Sequence, residues 1–269
     1  MPLENTLQAD LIRVANLLAD VARPETLAHF RTFALVADDK GENGFDPVTI
    51  ADRAAEKAMR TILSKERPND AILGEEYGAQ SGTSGLTWVL DPIDGTRGYI
   101  SGTPTWGVLI SVADETGPLF GIIDQPYIGE RFTGGLGRSD VVGPQGTAPL
   151  KTIEKSSLAE ATVLTTFPEV GTEQEQTAFH AVAQRAKLTR YGMDCYGYAL
   201  LAAGQVDLVI EAGLNAYDIQ APIAVIEAAG GIVTDWHGGP AHHGGRALAA
   251  ANREIHAEAM AILQESLDA

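Results

Sequence analysis

The sequence predicts a mixed α/β (α+β) protein built from two sheet-and-helix halves. Three observations carry that expectation. The chain opens with apolar residues at helical spacing. A run of short β-like segments separated by Gly and Pro then fills its middle. Helices and strands alternate through the rest. With 269 residues there is room for one large domain or two moderate ones sharing an interface.

In chain order, Leu3, Leu7, Leu11, Val14, Leu18 and Val21 mark a first helix, which Pro24 is expected to end or bend. The stretch "ADDKGENGFDP" reads as a loop. In "TIADRAAEKAMRTILSKERP", Thr49 is the expected N-cap of a second helix, Ala51, Ala55, Ala58, Met59 and Ile62 form its apolar stripe, and Pro68 lies past its end. The runs "AILG", "TWVLD", "TWGVLISVAD", "PLFGIID", "ERFTGG" and "DVVG" follow in close succession, which suggests an antiparallel sheet. The Gly- and Pro-rich "GPQGTAPLK" marks an expected boundary between residues 1–147 and 148–269. Beyond it, "ATVLTTF", "VDLVIE", "GIVTDW" and "ALAAAN" read as strands. "EQEQTAFHAVAQRAK", "YGYALLAAGQ", "DIQAPIAVIEAAGG" and "NREIHAEAMAILQESL" read as helices, the third closed by Gly230 and Gly231.

Composition bounds the function. A net charge of −17, spread along the chain, reads as a solubilising surface. It disfavours nucleic acid, which requires a basic patch, and repels anionic substrates unless bound cations invert the local charge. No apolar run reaches bilayer length, and the N-terminus lacks a signal pattern. Cys195 is the single cysteine, so no intrachain disulfide can form, as suits a reducing compartment. A soluble, cytoplasmic protein with no membrane or nucleic-acid partner is expected.

The informative stretch is Trp88 to Tyr99, "WVLDPIDGTRGY". An apolar strand runs into Asp91 and Asp94, held in a Pro/Gly-bearing turn beside the Thr96 hydroxyl. Two carboxylates sharing one spot raise each other's pKa unless a cation neutralises them. Oxygen ligands of this hardness suit Mg²⁺, Ca²⁺ or Mn²⁺ rather than Zn²⁺. Taken singly, other acids read more plainly. Glu75 and Glu76 resemble a charged surface loop, while Asp218 and Asp46 resemble helix caps.

Taken in order, "DPVTIADRAAE", "GEE", "WVLDPIDGT" and "YDIQAPIAVIEAAGG" resemble the inositol monophosphatase family of Mg²⁺-dependent, lithium-sensitive phosphatases. The resemblance spans nearly the whole chain, and its Asp-Pro-Ile-Asp-Gly-Thr block is highly specific. It implies a five-layered α-β-α-β-α sandwich, usually a homodimer, with two to three Mg²⁺ ions per site. By that resemblance Glu75, Asp91 and the Ile93 carbonyl hold one ion. Asp91, Asp94 and Asp218 hold a second, and Glu75 serves a weaker third. Asp46 and Thr96 orient the attacking water, while Gly95 and Thr96 cradle phosphate.

After the Asp-Gly-Thr block the chain reads "RGYISGTPTWGVLISV" rather than Thr-Asn-Phe, and further on "DCYGYALLAAG". Both are more like the histidinol-phosphatase branch. By the resemblance Asp194 occupies a position where the inositol enzymes carry a small residue, and Glu211 matches their substrate-binding Glu; both acids suit a basic alcohol, so histidinol phosphate is the leading expected substrate. Asp194 also reads as a surface turn, Glu211 as a solvated strand end, and Arg97 as either a phosphate contact or a solvent-facing side chain. Inositol phosphate and a nucleotide bisphosphate are the alternatives, the latter disfavoured by the lack of clustered Lys or Arg. A regulatory, protein-binding relative is the alternative class, and the intact ligand set argues against it.

Overall fold

The computed structural model describes residues 3–32, 37–39, 47–154, 157–169 and 171–268. Helix α1 (Asn5–Leu27) is followed by the short antiparallel pair β1 (Ala37–Asp39) and β2 (Pro47–Thr49), then α2 (Ile50–Glu66). Next come β3 (Ala71–Gly74), β4 (Gly78–Gln80), β5 (Thr87–Asp94), α3 (Thr96–Ser101), β6 (Gly107–Asp114), β7 (Gly117–Gln125), β8 (Glu130–Gly135), β9 (Arg138–Gly143) and β10 (Gly146–Pro149). The remainder is β11 (Thr162–Thr165), α4 (Glu173–Ala183), β12 (Leu188–Tyr191), α5 (Asp194–Ala202), β13 (Leu208–Leu214), α6 (Ala216–Ala228), β14 (Ile232–Thr234), β15 (Gly245–Ala250) and α7 (Arg253–Asp268).

Strands β3 to β10 form an eight-stranded sheet in the order β10-β9-β8-β7-β6-β5-β3-β4. A five-stranded sheet has the order β12-β11-β13-β15-β14. Side-chain parity shows why both read as near-continuous apolar runs. Along β6, Val108, Ile110 and Val112 pack under α1 and α2 with Leu11, Leu18, Met59 and Leu63. Leu109, between them, faces the other way, toward Tyr198, Ile219 and Ile223 of α5 and α6. On β13, Val209 joins that same middle layer, while Leu208 and Ile210 face Phe179 of α4 and Ile255 of α7. A strand covered on both faces loses the apolar–polar alternation of a one-sided sheet. The result is an α-β-α-β-α stack of five layers.

Several local expectations change. The larger sheet is mixed, because β3 pairs parallel with β5. Helix α1 continues through Pro24, which falls in its last turn; the carbonyl left without its N–H partner belongs to exposed Asp20. Within "ADDKGENGFDP", β1 pairs with β2, although much of that stretch lies outside the described residues. "GPQGTAPLK" carries the edge strand β10, and β12 edges the smaller sheet. Thr49 caps α2 as expected, within a capping box closed by Asp52. Among the described residues no helix is long and apolar enough to cross a membrane.

Candidate active site

Asp91 and Asp94 lie on a strand rather than in a turn. Strand β5 runs through both, and its pairing with β6 slips between them. Asp91 is opposite Leu109 and Asp94 opposite Gly107, three steps on β5 against two on β6. In a regular strand, residues three apart point to opposite faces. The one-residue bulge reverses that parity and lets both carboxylates converge. Asp91 Oδ1 accepts a hydrogen bond from Ile93 N at 3.0 Å, which fixes the bulge.

The third acid comes from the smaller sheet's side. Asn215 is the N-cap of α6, and Asp218 stands three residues on, its Oδ2 accepting from Asn215 N at 2.6 Å. The capping role expected of Asp218 is thus the reciprocal half of a capping box. Carboxylate oxygens of Asp91, Asp94 and Asp218 lie within 4.8 Å of one another. Asp94 Oδ2 also accepts from Cys195 N at 2.7 Å, tying β5 to α5.

Electrostatics follow from this crowding. Burial, then the charges of Glu75, Asp94 and Asp218, push Asp91 well above the usual carboxylate range. Burial and then Asp218 and Asp194 do the same to Asp94. Burial likewise raises the Cys195 thiol, with Asp94 and Asp194 adding to it, which keeps the thiol neutral and unsuited to nucleophilic attack.

A second cluster adjoins the first. Oxygens of Asp52, Glu75 and Glu76 also lie within 4.8 Å of one another. Glu75 and Glu76 sit on the short loop between β3 and β4, where Glu75 N donates to Leu90 O at 3.2 Å and so anchors the loop beside Asp91. Asp52 is fully buried. Its Oδ2 accepts from Thr49 N at 2.9 Å and Thr49 Oγ1 at 2.5 Å, while its Oδ1 is buried with no hydrogen-bond partner. Burial raises its pKa to about 6. Asp46, expected as the water-orienting acid, lies outside the described residues. Sequence reading missed Asp52 as a site residue, although it closes the same Asp-x-Val-Thr-x-x-Asp stretch.

Asp91, Asp94, Asp218 and Glu75 line a cleft of about 420 Å³ that also holds Gly95, Thr96, Arg97, Asp194, Tyr198 and Glu211. Gly95 has φ +84°, and a Cβ there would come within 2.6 Å of Asp194 Cγ, so only glycine fits at the start of α3. The Thr96 hydroxyl donates to Ile93 O at 3.1 Å. Asp194, itself left-handed at φ +46°, presses its carboxylate against Gly95 and Gly98 and accepts from Thr105 Oγ1 at 2.6 Å. It is therefore part of the cleft wall rather than a surface turn. Glu211 is 5% exposed and accepts from Thr166 N at 2.7 Å, Thr166 Oγ1 at 3.0 Å and Thr165 Oγ1 at 3.1 Å. Burial nonetheless raises its pKa to about 7. The Arg97 guanidinium stands 5.1 Å over the Phe167 ring at the rim.

All these ligand candidates are hard oxygen donors, and their mutual repulsion is the conflict a divalent cation removes. Asp52 Oδ1, buried and unpartnered, is a further oxygen of that kind. A cleft walled by such acids beside a glycine-started helix is the site of a metal-dependent phosphatase. The chain belongs to the inositol monophosphatase family, whose family model matches residues 7–268.

The chain is 41% identical to the bifunctional phosphatase IMPL2, chloroplastic, of Arabidopsis thaliana, over 84% of this chain but only 64% of that protein's own length. It is 34% identical to a histidinol-phosphatase of Streptomyces coelicolor, aligned over 95% of this chain and 97% of that one. Among solved structures, an inositol monophosphatase from Zymomonas mobilis superimposes with a TM-score of 0.84 at 37% identity, covering 95% of this chain and 98% of that one.

Proposed function

We propose that the chain is a Mg²⁺-dependent phosphomonoesterase whose substrate is histidinol phosphate. The observation that carries this reading is the pair Asp194 and Glu211. These carboxylates line the same cleft as the metal-type clusters without joining either one. A neutral polyol gains little from Asp194 as a second buried acid beside Glu211, whereas an alcohol bearing an amine and an imidazole gains charge-assisted hydrogen bonds. The Streptomyces coelicolor relative, a histidinol-phosphatase matched along nearly its full length, supports the same choice.

In this reading Glu75, Asp91 and the Ile93 carbonyl hold one ion, Asp91, Asp94 and Asp218 a second, and Glu75 a third that Asp52 and Glu76 are close enough to share. Bound Mg²⁺ supplies a lowered pKa for water and charge stabilisation for the leaving oxygen. The chain's own residues do the rest. Gly95 and Thr96 offer backbone N–H groups to the phosphoryl oxygens. The Thr96 hydroxyl holds the attacking water, and Glu75 receives its proton. Asp46 is the expected partner of Thr96, and Asp52 is a second candidate through its unpartnered Oδ1. Arg97, at the rim, offsets the charge of Asp194 and steers the phosphate inward. A homodimer and a cytoplasmic location complete the proposal, the latter consistent with one free, buried cysteine.

The test is phosphate release from histidinol phosphate, inositol 1-phosphate and adenosine 3′,5′-bisphosphate with Mg²⁺. The expected kcat/KM is at least about tenfold higher for the first. Asp194→Asn keeps an acceptor for Thr105 and tolerates the left-handed backbone. Both Asp194→Asn and Glu211→Gln should lower kcat/KM on histidinol phosphate by roughly thirtyfold or more, the scale of a buried charge pair losing one partner. With Asp194→Asn, inositol phosphate should lose less than about fivefold. Equal losses on both substrates from Asp194→Asn would overturn the choice of histidinol phosphate.

A further inference from the structure

We infer that Glu56 is a positioning residue: it clamps the backbone of the Glu75–Glu76 loop onto α2 and thereby sets the cation affinity of that loop. The inference rests on the metal-dependent reading above and adds to it a residue that ligates nothing itself.

The loop between Gly74 and Gly78 is three residues long, because those two glycines are paired across the β3–β4 hairpin. Its three amides all have identifiable acceptors. Glu75 N reaches Leu90 O on β5. The other two go to one side chain, with Glu76 N donating to Glu56 Oε2 at 2.7 Å and Tyr77 N to Glu56 Oε1 at 3.3 Å. Glu56 is 0% exposed and lies one helical turn after Asp52, on the same face of α2. Arg60, a further turn along, donates from Nε to Glu56 Oε1 at 2.7 Å and from a terminal nitrogen to Gly78 O at 2.5 Å. It thus neutralises the buried carboxylate and grips the loop's far end. Gly74 makes room for this arrangement, since a Cβ there would come within 2.0 Å of Glu56 Oε1.

One helix therefore bears Asp52 and, through Glu56 and Arg60, fixes the backbone bearing Glu75 and Glu76. These three acids repel one another in the absence of a cation. A short loop under that repulsion opens unless its backbone is held, and opening it spreads the ligand set. Groups that orient metal ligands without binding metal typically change affinity by about 10–100-fold when removed.

The test uses Mn²⁺ alone, titrated into the metal-free parent chain, Glu56→Gln and Arg60→Met, with bound and free ion separated by electron paramagnetic resonance. Amide hydrogen exchange at Glu76 and Tyr77 is read alongside. Glu56→Gln should weaken the Glu75-dependent Mn²⁺ site by about 10–100-fold and speed exchange at both amides. Excess Mg²⁺ should restore kcat to within about fivefold. Arg60→Met should shift binding in the same direction by a smaller factor, and it decides the matter if Glu56→Gln fails to fold. Were Glu56 merely structural, its loss would lower the melting temperature with the Mn²⁺ isotherm unmoved, which would overturn the inference. A parent chain that binds no Mn²⁺ would instead sink the metal reading itself, so the two failures are distinguishable.

Discussion

Replacing Asp91 with Asn should cut kcat by at least about a thousandfold while raising the melting temperature of the metal-free protein. The two effects have one cause. Asp91 is 2% exposed and faces Glu75, Asp94 and Asp218, so burial and like charge both disfavour its ionised form. Asn has the same shape. Its amide oxygen can keep the 3.0 Å bond from Ile93 N, and its NH₂ can donate to Glu75, with which Asp91 already shares a hydrogen bond. The metal-free fold thus sheds repulsion and loses no packing. For a chain of this size each kcal/mol moves the melting temperature by about 2–4 °C, so a rise of several degrees is expected. Turnover moves the other way, because under the proposed assignment Asp91 is the ligand that both ions would share, and the substitution removes its charge. Several kcal/mol of transition-state stabilisation go with it, and about 1.4 kcal/mol is a factor of ten. Calorimetry with chelator and with Mg²⁺, beside a phosphate-release assay, reads both arms. Near-normal turnover would remove Asp91 as the bridging ligand. A lower metal-free melting temperature would refute the repulsion argument.

How much of this was legible in the sequence depends on whether the relevant partner is local. Helices packed on both sheets follow from "VLI" in β6 and "LVI" in β13, runs that are apolar because each strand is covered on both faces, whereas the five-layer stack was expected only from the family resemblance. The bulge at Asp91 and Asp94 was not legible, since a register slip belongs to the pairing of β5 with β6 rather than to either strand. Strands β10 and β12 are short edges, and their mostly exposed residues carry no burial pattern to read. Asp52 was hidden by a sufficient local explanation. Thr49 and Asp52 complete a capping box, and only the tertiary structure shows that Asp52 stands beside Glu75 and Glu76 and keeps one carboxylate oxygen without a hydrogen-bond partner. Glu56 was hidden differently, as a buried helix residue whose acceptors serve a loop some twenty residues ahead in sequence. Asp194 and Glu211 were visible as acids with two readings each, and the fold turned both toward one cleft.

Stability should fall as pH rises in the absence of Mg²⁺ and hold or rise in its presence. Folding raises Glu211 from the ordinary 4.5 to about 7 and Asp52 from 3.8 to about 6, and raises Asp91 and Asp94 in the same direction. Between the unfolded and folded values of each acid, the folded chain keeps a proton that the unfolded chain has released. The folded state therefore binds more protons across that window, and stability falls as pH rises through it. For Glu211 alone the full loss is on the order of 3 kcal/mol, complete a little above pH 7. With Mg²⁺ present, ion and protons compete for the same oxygens, so affinity climbs as pH rises. At a hundred times its dissociation constant a ligand adds about 2.7 kcal/mol. Urea unfolding from about pH 5 to about pH 8 should give a falling curve with chelator and a flat or rising one with millimolar Mg²⁺. Two variants separate the causes. Glu211→Gln should flatten part of the chelator curve and leave the gap between curves intact, because Glu211 lies outside both carboxylate clusters. Asp91→Asn should close the gap. Parallel curves in the parent protein would mean that the acids of this cleft do not take up Mg²⁺, and the proposed chemistry would fall with them.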